Sequence, residues 1–212
     1  MLVVTAALAS VFISGNSPNP HAGRGPIGTL GSGFFDPAAP PPPEGMIRPR
    51  PGSWDAVHPP RGYRVALLTA GDDAATTMIV ATVQQWAKAE HVTLMTVAVK
   101  EPDRVVDGIV EAMDVRPDLV ICAGLALVDA LAPVTASHLD QQFLVVGAQL
   151  PEPTVNVTAA IWQGASSRGR EVADTASSFD PHAFTRERAG AAVRAGVASV
   201  LSDLTGIVIW LE

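Results

Sequence analysis

The chain has 212 residues, of which 48% are hydrophobic, 17% are charged and 5% are aromatic, with a net charge of −7 and a mean hydropathy of +0.26. This composition excludes an intrinsically disordered chain and predicts one domain with a core of aliphatic side chains. Residues 62–212 carry 10 basic and 18 acidic residues and no basic run, which excludes the usual electrostatic basis for binding nucleic acid or anionic lipid.

The amino-terminal segment is apolar. Residues 2–13 carry no charge, and Ala7-Leu8-Ala9 has the small residues that flank a secretory cleavage site. The run is shorter than a typical membrane-spanning helix. We therefore predict that residues 1–14 are a signal sequence or membrane anchor, which places the protein in the cell envelope and in contact with membrane only through this segment. A buried segment of a cytosolic domain is the alternative.

The next segment, residues 15–62, differs in composition from the rest of the chain. It holds 12 of the 18 prolines and 9 of the 18 glycines, and it has no periodic apolar face. Its four consecutive prolines, residues 40–43, favour an extended polyproline II conformation. We therefore predict a linker or stalk over residues 15–62. The alternative is a proline-rich docking ligand with Trp54 as its anchor.

From residue 63 to residue 212, apolar runs alternate with helical patterns. The predicted strands cover residues 64–69, 92–99, 119–123, 143–146, 155–161 and 206–211. The predicted helices cover residues 72–90, 102–115, 126–138, 165–176 and 184–204. Strands that are apolar throughout and alternate with helices indicate a parallel sheet that is covered on both faces. We therefore predict an α/β fold with a doubly wound parallel sheet, a three-layer α/β/α sandwich.

The candidate site lies at the carboxyl ends of these strands, where open parallel sheets bind ligands near the switch in strand order. The candidate ligand-binding residues are Asp72, Asp73, Thr76, Gly124, Leu125, Gln149, Trp162 and Gln163. An aspartate pair repels phosphate and no glycine-rich nucleotide motif is present, so the expected ligand is a small polar solute. Two alternatives concern packing: an aspartate that caps the following helix, and a Trp162 that packs at the rim of the sheet.

Residues that support catalysis or bind metals are sparse. The single cysteine, Cys122, lies in a predicted buried strand, where it is expected to be a core residue and not a nucleophile. None of the histidines has a partner at metal-ligand spacing, and all are predicted to face solvent: His21, His58, His91, His138 and His182. Ser166-Ser167 lacks the glycines of a nucleophile elbow. We predict no metal, no cofactor and no enzymatic activity, with an enzyme of flavodoxin-like architecture as the alternative.

A series of short segments in the second half of the chain follows a recognisable order. They are Pro117–Leu125, Asp129-Ala130-Leu131, Phe143–Val146, Asn156-Val157 and Gln163–Gly169. In this order, over roughly residues 64–170, the chain resembles the basic membrane protein family of ABC-importer substrate-binding proteins, and is similar to purine-nucleoside receptor lipoproteins. The resemblance implies a type I periplasmic-binding lobe, an exported location and a nucleoside-like solute. It assigns a ligand-binding role to Asp72, Asp73 and Gly124.

Two departures from the family pattern shape the predicted function. The residues after the linker, about 150, suffice for one lobe, whereas family members enclose the ligand between two lobes. Gly147 stands where the family has the Asp that holds ribose, and Leu125 follows Gly124. We therefore predict a degenerate single lobe that is an interaction module for an envelope protein partner. The alternative is a solute receptor of an ABC importer that completes its cleft by homodimerisation through the terminal Ile207–Leu211 strand and its helix.

Overall fold

The computed structural model describes residues 24–165 and 179–212. In this part of the chain, seven strands form one parallel sheet: β1 (Met46–Ile47), β2 (Arg64–Ala70), β3 (Thr93–Val99), β4 (Leu119–Ala123), β5 (Phe143–Val146), β6 (Val157–Trp162) and β7 (Val208–Leu211). The α-helices are α1 (Ala74–Ala89), α2 (Val105–Asp114), α3 (Val128–Ala136) and α4 (Arg186–Leu201). The predicted α/β class with a doubly wound parallel sheet is confirmed.

The order of the strands places one reversal in the sheet. The order is β1-β7-β6-β5-β4-β2-β3, and every neighbouring pair is parallel. The chain moves from β2 outward to the edge strand β3, and then crosses to the other side of β2 to form β4. The strand-order switch therefore lies between the carboxyl ends of β2 and β4, the position where such sheets leave a crevice.

Helices cover both faces of the sheet, and each face has its own core. Helices α1 and α4 pack on one face, while α2 and α3 pack on the other. Alternate residues of a strand point to opposite faces, so Leu67 joins the first core and Leu68 joins the second. Every residue of β4, β5 and β6 is buried. This two-sided burial explains why these strands are apolar throughout and not alternating.

The segment that we predicted as a linker is anchored to the domain at several points in its described part, residues 24–62. Met46 and Ile47 form β1, which pairs with β7 and adds an edge strand to the sheet. The rings of Phe34 and Trp54 lie edge to face with centroids 6.5 Å apart, and their side chains are only 1% and 4% exposed. Composition did not predict this packing, because proline and glycine set backbone preferences but leave isolated apolar side chains free to anchor the chain. A docking ligand anchored by Trp54 is excluded by its burial.

The covered edge of β7 corrects a second prediction. Dimerisation through Ile207–Leu211 requires a free edge on β7, but this strand lies between β6 and β1, with Val208 opposite Met46. The predicted helix over residues 165–176 lies outside the described residues from residue 166 onward, as do residues 1–14. Among the described residues, no helix has the length and hydropathy that a membrane span requires.

Candidate ligand cleft at the strand-order switch

The candidate cleft forms where the loops after β2 and β4 approach each other. The first loop contains Asp72 and Asp73 and leads into α1, and the second begins at Gly124 and leads to α3. The cleft is lined by two aromatic rings, three aliphatic side chains, two polar side chains and three small residues: Asp73, Ala75, Thr76, Ile79, Gly124, Leu125, Val146, Gly147, Phe179 and Phe184. Four of the eight predicted residues, Asp73, Thr76, Gly124 and Leu125, therefore line one cleft.

Asp73 is the amino-terminal cap of α1. One carboxylate oxygen accepts a hydrogen bond from the Thr76 backbone N–H at 3.0 Å, and the other accepts one from the Thr76 hydroxyl at 2.6 Å. These bonds satisfy a backbone N–H that the first turn of a helix leaves without a partner inside the helix. The capping alternative is therefore correct for Asp73. Both of its carboxylate oxygens already accept a hydrogen bond from Thr76.

The charge on Asp73 is stabilised by the same contacts. Burial alone raises the pKa of this carboxyl, because it disfavours the charged form. The hydrogen bonds from the Thr76 hydroxyl and from the backbone N–H groups of Thr76 and Ala75 outweigh burial, so the pKa of Asp73 is below its ordinary value of 3.8. Asp73 is therefore a carboxylate at neutral pH, suited to accept hydrogen bonds from a neutral polar ligand and unsuited to a phosphate.

Gly124 allows the two loops to approach closely. Its φ of +118° is a backbone conformation that L side chains rarely adopt. A Cβ atom at this position would lie 2.3 Å from the carbonyl oxygen of Ala70 at the end of β2, and 3.3 Å from the Thr76 hydroxyl oxygen. Only glycine therefore fits at this point of the switch.

Two phenylalanines from the segment before α4 fill the cleft. The Phe184 ring lies against Gly147, where an added Cβ would be 2.6 Å from a ring carbon. The same ring packs edge to face on Trp162 with centroids 4.9 Å apart, and Phe179 lies 5.5 Å from it. The remaining cavity volume is about 10 Å³, which is room for roughly one water molecule. The cleft is therefore closed to a solute.

The other four predicted residues do not line this cleft. Asp72 is exposed, and its backbone carbonyl accepts a hydrogen bond from the Thr77 hydroxyl. Gln149 is buried, and Gln163 is exposed in the turn after β6. Trp162 is 0% exposed and donates its indole N–H to the carbonyl of Ala183 at 3.0 Å.

The packing alternative is therefore correct for Trp162. Its ring is covered by Phe184 and its N–H already has an acceptor. It has no face left on which a ligand could stack. Its role is to hold the segment that carries Phe184 against the sheet.

The remaining chemically active residues have structural or solvent-exposed positions. Cys122 is buried in β4, where burial raises the pKa of its thiol, and this confirms its prediction as a core residue. The described histidines are exposed, as predicted: His58, His91, His138 and His182. His21 and Ser167 lie outside the described residues. Within the described part of the chain, no three His, Cys, Asp or Glu residues are placed to share a metal ion.

Asn156 belongs to the ordered series of segments described in the sequence analysis. It lies just before β6, at the amino ends of the strands, and stabilises a loop there. Its buried side-chain amide donates to the carbonyls of Thr135, His138 and Gln141 at 3.2, 2.9 and 2.9 Å. Its side-chain oxygen accepts from the Thr154 hydroxyl at 2.6 Å. The Asn-Val element therefore stabilises the connection from α3 to β5 and takes no part in the cleft.

Phe179 and Phe184 are the residues of this cleft that sequence reasoning missed. A signal was present, because the chain contains only six phenylalanines and two of them flank Asp180-Pro181 just before a helix. Gly147 was noted only as a departure from the family pattern. In the structure it is the position on which the Phe184 ring rests.

No protein-family model and no curated protein matches the sequence. Among solved structures, an ABC-transporter solute-binding protein from Aeropyrum pernix K1 matches 48% of the chain at 15% identity, with a TM-score of 0.43. One from Conexibacter woesei DSM 14684 matches 49% at 18% identity, with a TM-score of 0.42. The chain spans 29% and 36% of the lengths of these two proteins.

A candidate lipoprotein from Peptoclostridium difficile 630, solved as a fragment, matches a larger part of the chain. The match covers 66% of this chain and 98% of the fragment, at 14% identity and a TM-score of 0.48. At these identities the likeness is one of fold alone. It leaves the ligand and the family of this chain to be argued from its own residues.

Proposed function

We propose that this chain is a non-catalytic, solute-binding-protein-like domain that acts as an interaction module and does not enclose a small solute at its strand-order switch. The observation that carries the proposal is the closed cleft. Phe184 rests on Gly147 and leaves a cavity of about 10 Å³, whereas small-molecule sites have volumes of roughly 300–1,000 Å³. The polar groups that line the cleft bond to one another, as Asp73 and Thr76 do.

The proposal includes an envelope location and a kinship with the basic membrane protein family. The location rests on the apolar run over residues 2–13 with its small-residue cleavage pattern. The kinship rests on the ordered series of segments between residues 117 and 169. Fractionation of cells that express the full chain tests the location, with the protein expected in the exported or membrane fraction and contradicted by recovery in the cytosol.

A thermal-shift screen of the full chain against nucleosides, sugars and amino acids tests the proposed function. A ligand that binds only the folded state must raise the melting temperature by mass action. We expect no rise with any nucleoside, sugar or neutral amino acid, because a solute has no space at the switch. A saturable rise with a nucleoside would contradict the proposal and favour a receptor.

The receptor is the second candidate function, and one observation favours it. Asp73, Thr76 and Gly124 converge at the strand-order switch, the position at which open parallel sheets bind ligands. A receptor would complete its cleft by homodimerisation through a surface other than β7, whose edge β1 covers. In that case a nucleoside-induced thermal shift should disappear in Asp73→Ala and persist in Asp72→Ala, because only Asp73 lines the cleft.

A further inference from the structure

A second and larger cavity also lies at the carboxyl ends of the strands, on the side of the sheet formed by β1 and β7. It is an open groove of about 790 Å³ beyond the carboxyl ends of β1 and β7, and α4 forms one wall. The segment that follows β1 supplies Arg48 and Arg50, and α4 supplies Arg188 and Arg194. We call this the arginine groove. Its volume lies within the range of small-molecule sites, roughly 300–1,000 Å³.

Within the described part of the chain, the four arginines of the groove form no ion pair with a carboxylate. The ion pairs among the described residues join Arg24 to Asp118, His58 to Glu90 and Arg104 to Asp107, and none involves the groove. Arg48, Arg50 and Arg194 are exposed, and Arg188 is half-buried. Among the described residues their charges are therefore not engaged in direct ion pairs, although Asp55, Glu187 and Glu212 lie in the same lining.

Contacts other than ion pairs orient three of these side chains. The Arg48 guanidinium lies over the ring of Trp210, 5.0 Å from its centroid. Arg188 donates to the carbonyl of Ala183 at 3.4 Å. The stem of Arg50 lies against Gly33, where an added Cβ would be 2.8 Å from the arginine Cδ.

The backbone of Arg50 is also held in place. Its N–H donates to the carbonyl of Gly33 at 2.9 Å, and its carbonyl accepts from the N–H and hydroxyl of Ser53 at 3.1 and 2.7 Å. The guanidinium groups of Arg48 and Arg188, which the Trp210 ring and the Ala183 carbonyl orient, keep most of their N–H donors available. Such pre-organisation lowers the entropy lost when an anion binds.

We propose that the arginine groove binds a small organic anion that carries two or more carboxylate or phosphate groups. Guanidinium groups match the geometry of both oxyanions and bind them with paired, charge-assisted hydrogen bonds. Three acidic residues, Asp55, Glu187 and Glu212, also line the groove. A long polyanion would lie along these acidic residues and be repelled by them. A compact ligand that contacts only the arginines is therefore favoured.

Titration calorimetry on the full chain tests this inference with two probes, citrate for carboxylates and pyrophosphate for phosphates. Glycerol is the uncharged control, and the buffer contains no phosphate and little salt. We expect saturable binding of one molecule per chain for at least one probe, and the probe that binds more tightly identifies the oxyanion. Affinity should fall with added salt, because the contacts are ionic.

The double variant Arg50→Ala/Arg194→Ala should weaken binding by about tenfold or more, the effect of losing charge-assisted hydrogen bonds. The matched control Arg61→Ala/Arg104→Ala removes the same charge from exposed positions outside the groove and should leave affinity within about twofold. Arg50→Lys/Arg194→Lys keeps the charge without the planar fork and should give an intermediate affinity.

Two outcomes would overturn the inference. The first is heat that does not saturate up to about 10 mM of either probe, beyond the weak end of specific binding. The second is an equal loss of affinity in the groove variant and in the control, which would mean adventitious ion binding only. Because the groove and the cleft share no lining residue, this result is separate from the nucleoside screen that tests the proposed function.

Discussion

The cleft at the strand-order switch and the arginine groove both lie beyond the carboxyl ends of strands of one sheet, yet they differ in volume and in the polar groups that are left available. The cleft retains about 10 Å³ and the groove about 790 Å³. In the cleft, Asp73 and Thr76 bond to each other and Phe184 fills the remaining space. In the groove, the arginines have no carboxylate partner within the described part of the chain.

The comparison teaches that sheet topology determines where a crevice begins, whereas the connecting segments determine whether it stays open. The switch between β2 and β4 forms the predicted crevice, but the segment before α4 places Phe184 in it. At β7, the proline- and glycine-rich segment over residues 15–62 adds β1 and continues as one wall of the groove. The segment whose composition indicated a linker thus builds the more open of the two cavities.

The largest expected effect tests whether Phe184 closes the cleft. Phe184→Ala removes a ring that is 7% exposed and contacts Gly147 and Trp162. We expect the free energy of unfolding to fall by about 3–5 kcal/mol, the typical cost of truncating a buried phenylalanine. Urea denaturation at neutral pH measures it.

Phe179→Ala is the matched control for this measurement. Phe179 lines the same cleft but is 42% exposed, so its truncation should lower the free energy of unfolding by no more than about 1 kcal/mol. An equal cost for the two variants would mean that the Phe184 ring does not fill the switch, and the contrast between cleft and groove would be lost.

The strands of the sheet could be predicted from the sequence, whereas the open or closed state of the two cavities could not. The runs over Leu119–Ala123 and Phe143–Val146 predicted β4 and β5 to the residue, because a strand buried on both faces is apolar throughout. The residues that close or open a cavity could not be identified from the sequence. Whether Trp162 faces a ligand or Phe184 depends on a residue 22 positions farther along the chain, and no local pattern encodes that contact.

The site was predicted in part for the same reason. Asp73 and Gly124 belong to loops that follow neighbouring strands, and Thr76 lies in the first turn of α1, so the alternation of strands and helices sufficed to bring them together. Strand β1 was missed because two residues give no periodicity, and Arg48 and Arg50 were missed with it. The pairing of Met46 with Val208 places these two arginines beside β7, and the sequence alone does not show that pairing.

The second prediction concerns the charge of Asp73 in the closed cleft. Asp73→Ala removes the cap of α1 and should lower the free energy of unfolding by about 1 kcal/mol at neutral pH. The pKa of Asp73 is lowered by folding, so its stabilisation is present above the ordinary value of 3.8 and is lost as pH falls through the folded-state pKa. Urea denaturation at neutral pH and at about pH 3 should therefore show the difference from wild type shrinking in acid.

Asp72→Ala is the control for the pH experiment, because Asp72 is exposed and the hydrogen bond it accepts is made by its backbone carbonyl. It should change the free energy of unfolding by no more than about 0.5 kcal/mol at either pH. A difference for Asp73→Ala that stays constant between neutral and acid pH would show that the capping bonds do not depend on the charged carboxylate.

The smallest expected effect tests whether the arginines of the groove are held there for stability. Arg48→Ala removes the guanidinium from the ring of Trp210 and should lower the free energy of unfolding by about 0.5–1 kcal/mol. Arg194→Ala removes an exposed charge without an ion pair or ring partner among the described residues, and should change it by less than about 0.5 kcal/mol. An arginine whose removal leaves the free energy of unfolding unchanged does not stabilise the fold, so its guanidinium is available to a ligand. A loss above about 1 kcal/mol for Arg194→Ala would instead make the groove a structural feature, and its open, charged character would no longer distinguish it from the closed cleft.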